Sequence, residues 1–163
     1  MKVFKYLVFS TVLATGASCA SAQNYDEGMA AYNAGDYKTA FNDLLPLAQH
    51  GDLRVMNTLA FLYFSGNGIV QEYAQALKWY REAAEKGDVI SQQSIGMMYD
   101  LGKGVVQDNI RAHMWYNIAS ANGDTLGASF RAAVAERMTQ DEIAKAQAMA
   151  VDCLNSGYKT CGW

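Results

Sequence analysis

Proline is almost missing from this chain, with Pro46 the only one in 163 residues. Nothing else of that kind interrupts a helix, so long helices are free to form. Histidine is nearly as scarce. His50 and His113 are the only two. They stand apart, outside any metal-ligand spacing, so we expect no metal site and read both as surface or capping residues. Charge is sparse, at 18% of residues against 51% hydrophobic, a balance that excludes a disordered chain. There is no basic cluster and the net charge is −3, which argues against nucleic acid and anionic lipid as partners.

Groups for chemistry are also thin on the ground. Gly66-x-Gly68 and Gly102-x-Gly104 lack the preceding strand of a nucleotide-binding loop and read as turns. Asp26-Glu27, Glu82 with Glu85, and Asp141-Glu142 fall on solvated faces or at helix starts. We expect no cofactor and no catalytic residue. One pattern, Ser156-x-x-Lys159, fits the serine-lysine pair of penicillin-recognising enzymes, but no companion motif accompanies it.

The N-terminus has the build of a signal peptide. Lys2 and Lys5 precede an apolar run from Tyr6 to Ala14, and Ala20-Ser21-Ala22 offers the small residues needed for cleavage before Gln23. That run is too short for a permanent membrane span. Processing as a lipoprotein at Cys19 is the alternative, although Gly16-Ala17-Ser18 lacks the leucine that usually opens such a site. Losing residues 1–22 leaves 11 basic against 16 acidic residues, a net charge of −5. It also leaves two cysteines, Cys153 and Cys161, an even count that suggests one disulfide in a periplasmic or secreted protein.

What the sequence does have is a period. Gly51-Asp52, Gly87-Asp88 and Gly123-Asp124 recur every 36 residues. At the same offset Tyr63 returns as Tyr99, Gly66 as Gly102, Gly68 as Gly104, Ala76 as Ala112, Trp79-Tyr80 as Trp115-Tyr116, and Ala83 as Ala119. Such periods mark stacked helix pairs. Each glycine can close one helix and each aspartate can cap the next. Val55, Leu59, Leu62 and Tyr63 share one face of a first helix, and Ile95, Met98 and Tyr99 repeat its later part. A second helix turns Ala76, Trp79, Tyr80 and Ala83 inward. Thr139-Gln140-Asp141-Glu142 is a capping-box pattern that opens a last helix.

The stretches Leu59-Ala60-Phe61-Leu62-Tyr63-x-x-Gly66-x-Gly68-Ile69 and Ala76-x-x-Trp79-Tyr80-x-x-Ala83-Ala84-x-x-Gly87 resemble the Sel-one-like repeat, a relative of the tetratricopeptide repeat. A second copy runs through Ile95-Gly96, Tyr99, Gly102-x-Gly104-Val105, Ala112, Trp115-Tyr116 and Ala119. Two positions depart from the pattern: Ala60 replaces a glycine and Glu72 an aspartate. The resemblance implies an all-α, right-handed α-solenoid of antiparallel helix pairs, about eight helices in all. Its expected parts are a degenerate unit over 23–51, repeats over 52–87 and 88–123, and capping helices with a tail over 124–163.

Stacked pairs curve, and their first helices line the concave side. Positions not assigned to the core there are Arg54, Asn57, Phe61 and Phe64, with counterparts Ile90, Gln93, Met97 and Asp100. Exposed aromatics among polar neighbours are typical of recognition surfaces. We therefore expect a monomer that holds a protein or peptide in this groove. The resemblance implies a non-enzymatic adaptor or regulator of the bacterial envelope. Two other readings stand beside it. One is a penicillin-type hydrolase built on Ser156 and Lys159, since some disulfide-rich members of the family are linked to penicillin-type compounds. Those relatives carry a cystine in each repeat and this chain does not. The other is a structural protein attached to the cell wall.

Overall fold

A computed structural model describes residues 16–162, with side chains from Asn24 onward. Eight helices and no strand occur among the described residues. They are α1 (Gly16–Asn33), α2 (Tyr37–Gln49), α3 (Leu53–Ser65), α4 (Tyr73–Ala84), α5 (Val89–Leu101), α6 (Asn109–Ala121), α7 (Gly127–Ala135) and α8 (Gln140–Asn155). Within the first three pairs, α1 packs on α2, α3 on α4 and α5 on α6; α2 then meets α3, and α4 meets α5. The last two helices depart from the expected pairing: α7 and α8 each pack on α6 rather than on one another. The expected signal segment lies outside the described residues up to 15, as does Trp163. The backbone of α1 runs through the expected cleavage point between Ala22 and Gln23.

The joints form as the period predicts. Asp52 accepts a hydrogen bond from Arg54 N at 3.1 Å, and Asp88 accepts one from Ser91 N at 2.8 Å, so each opens its helix. Both α3 and α5 end on a left-handed glycine, Gly66 with φ 72° and Gly102 with φ 64°. The turns that follow also set how units stack. A Cβ on Gly68 would lie 2.7 Å from Lys38 N, and one on Gly104 would lie 3.0 Å from Tyr73 O. Each turn thus rests directly on the start of the preceding unit's second helix. Asp36 caps α2 through Thr39 N at 3.2 Å, so the degenerate unit is a true helix pair. Thr139 and Glu142 make both bonds of the capping box.

The core is continuous from α2 to the tail. Trp115, Leu44, Met56, Leu59, Leu62, Ile95, Met98, Met114 and Ile118 are all fully buried. Each such side chain contributes roughly 1.5–3 kcal/mol of transfer free energy. Cys153 and Cys161 come together at the end of the chain with Cα atoms 4.6 Å apart, within the range a disulfide spans.

Two expectations need correction. Asp124 does not open α7; that helix starts at Gly127 behind Leu126, and Asp124 only accepts from Leu126 N at 3.1 Å. The start is fixed from outside, because a Cβ on Gly127 would lie 2.9 Å from Tyr116 O. His113 is not a surface residue. It is 3% exposed within α6, and no hydrogen bond reaches its Nδ1. His50, by contrast, sits at the end of α2 with Nδ1 2.7 Å from Pro46 O, as a capping histidine should.

Candidate partner-binding groove

Helices α3, α5 and α7 border one open groove of about 250 Å³. Phe61 comes from α3, Gln93, Ser94 and Met97 from α5, and Phe130 from α7; Tyr80 and Tyr116 from the second helices form its floor. None of these side chains carries a formal charge. Phe61 is 39% exposed and Phe130 41%, unusual for phenylalanine in a chain with such a well-filled core. Tyr116 and Phe130 lie 5.4 Å apart, tilted by 30°, and make a continuous aromatic wall.

Burial fixes the ionisation of the floor. It pushes the Tyr80 hydroxyl up to about 12, against a smaller opposing effect of its bond with Ser94. Burial raises Tyr116 too, helped by the nearby Asp100 carboxylate. Both phenols stay neutral at ordinary pH and present apolar rings. Ser94 Oγ donates to Ile90 O at 2.8 Å, so its acceptor side meets the Tyr80 hydroxyl.

Of the side chains expected in the groove, Phe61, Gln93 and Met97 are brought together there. The remaining four serve the fold. Arg54 is paired with Asp52 at 2.6 Å and lies over the Tyr25 ring at 4.2 Å. Asn57 donates to Asp88 at 3.4 Å and so ties one unit to the next. Phe64 is half-buried, edge-on to Tyr73 at 5.4 Å. Asp100 is ion-paired with Arg137. Ile90, the counterpart of Arg54, is 60% exposed. Ser94, Tyr80, Tyr116 and Phe130 were not anticipated. The tyrosines were expected inside and are buried, and both also border the groove. Phe130 stands 36 residues after Ser94, so the two share one repeat position, which was left off the expected groove face.

The serine–lysine pattern of the tail is engaged in a turn. Ser156 Oγ donates to Cys153 O at 2.8 Å and accepts from Lys159 N and Thr160 N, both at 3.1 Å. Its hydroxyl is consumed by the turn after α8. Among the described residues, no three of His, Cys, Asp and Glu gather as a metal site, and no helix is long and apolar enough to cross a membrane.

The paired helices, the turn glycines seated on the preceding unit and the Trp-Tyr core describe a known repeat. The Sel1 repeat family matches residues 55–88 and 89–124. The chain carries two Sel1 repeats. Sel1 repeats mediate protein–protein interactions. Two solved structures are similar. One is c5321, a protective antigen of uropathogenic Escherichia coli with an SLR fold, at 23% identity and TM-score 0.77 over 85% of this chain. The present chain spans only 31% of that protein's length. The other is a Sel1 repeat protein from Oxalobacter formigenes, at 24% identity and TM-score 0.61, over 71% of this chain and 90% of the neighbour. At these identities they establish the fold, an α-solenoid of Sel1-type helix pairs. No curated protein matches the sequence.

Proposed function

We propose that the protein is an exported adaptor of the bacterial envelope that captures an uncharged, bulky apolar side chain of a partner protein in the Phe61–Met97–Phe130 groove. The observation that carries this reading is an open aromatic groove on a repeat used elsewhere for protein contacts. Its volume of about 250 Å³ suits one large aliphatic or aromatic side chain. The absence of charge on its lining suits an uncharged one. The two charged side chains expected in the groove, Arg54 and Asp100, are instead paired within the chain, with Asp52 and Arg137. Apolar anchors of this kind carry most of the energy in protein interfaces.

Export rests on the basic and apolar N-terminal pattern, with cleavage before Gln23 and a disulfide between Cys153 and Cys161. The hydrolase reading has no comparable support, since Ser156 is used by its turn.

The test is site-specific photocrosslinking in envelope extract. A benzophenone side chain at Phe61 or Met97 is expected to trap a discrete partner, while one at Val106, exposed in the loop before α6, traps none. Identical products from all three positions, or none from the groove positions, would remove the adaptor reading. Intact-mass measurement of the exported protein checks that its first residue is Gln23.

A further inference from the structure

We propose that residues 156–162 form a strap along α6 that is locked or released by thiol–disulfide exchange between Cys153 and Cys161. The two cysteines are buried, at 0% and 1% exposure, and close a loop across a sequence separation of 8 that leaves the end of α8. Within that loop Tyr158 adopts φ 68°, a left-handed conformation disfavoured for a residue with a Cβ. Its hydroxyl accepts from Asn122 Nδ2 at 2.9 Å. The same amide donates to the buried Gln92 Oε1 at 2.8 Å, and Gln92 Nε2 donates to Ala84 O at 3.3 Å. At the far end of the strap, Gly162 O accepts from Arg111 Nε at 3.0 Å. Asn122 follows the last residue of α6 and Arg111 lies in its first turn. The strap therefore runs back along the helix, fastened at both ends.

The preceding repeat shows what this joint looks like with no strap. The counterparts of Gln92 and Asn122, 36 residues earlier, are Met56 and Lys86. There Lys86 Nζ bonds directly to Gly51 O at 3.2 Å and approaches the Met56 sulfur at 3.9 Å. The joint closes with an apolar side chain and one lysine. A buried glutamine–asparagine pair is an expensive substitute unless each group finds a partner. Tyr158 is the partner that makes the substitution workable.

Release proceeds, once the loop opens enough to uncover a sulfur, by two exchanges with a dithiol reductant. Its first thiolate attacks one cystine sulfur, forming a mixed disulfide and freeing the other cysteine as a thiolate. Its second thiolate displaces the protein sulfur and closes the reductant's own disulfide. Two electrons pass to the protein, and the reductant's two protons end on Cys153 and Cys161. The strap then loses the covalent tie that keeps Tyr158 in its disfavoured conformation.

Amide hydrogen exchange on the full purified chain tests this. Reduction, verified by titrating two thiols, is expected to speed exchange across 156–162 by about tenfold or more, leaving α3 unchanged. A small-molecule disulfide oxidant should restore the slow rate. In the oxidised protein, Gln92→Met is expected to speed strap exchange as well, because the relay loses its buried end. Unchanged strap exchange after full reduction would overturn the proposal, as would an equal loss of protection in every helix. Two free thiols in protein recovered from an oxidising compartment would also overturn it. Wild-type exchange in oxidised Gln92→Met would sink the relay.

Discussion

The two Sel1 repeats share a skeleton and differ in what they place inside it. Residues 52–87 bury Val55, Met56 and Leu77; residues 88–123 bury Ser91, Gln92 and His113 at the same three positions. Trp79 and Trp115, Tyr80 and Tyr116, and the paired alanines are otherwise common to both. The first copy is built to stack. In the second, Gln92 ties the unit to the tail through Asn122 and Tyr158, Asn117 accepts from Arg131 of α7, and the unit supplies most of the groove. Repetition fixes the helices, while the exceptions to repetition mark where the molecule does something particular.

Swapping residues between the copies sharpens this comparison. The largest effect is expected at Gly96, whose counterpart is Ala60. A Cβ there would lie 2.8 Å from the Tyr116 ring. Gly96→Ala should therefore cost about 1–3 kcal/mol by overpacking, read as a lowered denaturation midpoint. If Gly96→Ala is neutral, the tyrosine floor is looser than described.

A smaller and pH-dependent effect is expected at His113. Burial, then the charge of Arg131, holds its pKa below the ordinary 6.5. The unfolded chain thus binds a proton more readily than the folded one, and stability falls as pH drops through 6.5 toward the folded value. His113→Leu, which imports the residue of the first copy, should raise the melting temperature and flatten its dependence on pH between 7 and 5. An unchanged slope would mean that His113 is not the group responsible.

The smallest effect concerns a missing cap. Asp108 opens α6 by accepting from Arg111 N at 3.0 Å, whereas its counterpart Glu72 makes no side-chain cap to α4. Glu72→Asp should add about 0.5–1 kcal/mol, a rise of roughly 2–4 °C in Tm. No gain would mean that the extended backbone at residue 72 cannot present the shorter carboxylate.

Most of the fold could be read from the sequence, because its signals are local. Gly-Asp joints, turn glycines and the Thr139–Glu142 box act within a few residues of themselves. The errors arose where distant contacts override such signals. Asp124 looks like Asp52 and Asp88, but Gly127 must sit against the Tyr116 carbonyl, so α7 starts late. Phe130 kept its register with Ser94, and both were missed because that repeat position was not counted on the groove face. Phe64 and His113 lie on faces whose exposure depends on the neighbouring unit, and composition says nothing about that neighbour. In the groove, Phe61, Gln93 and Met97 were legible as leftover positions on first helices. Arg54, Asn57 and Asp100 were leftover too, but they find partners within the chain.

Adjacent methionines on α5 give the most direct test of the central claim, that the repeat interior and the groove are separate surfaces. Met98 is fully buried, while Met97 borders the groove and is only partly covered. Denaturant unfolding should show Met98→Ala losing about 2–5 kcal/mol and Met97→Ala less than about 1 kcal/mol. Equal losses at the two positions would contradict the account, because Met97 would then belong to the core and the groove would not be a free surface.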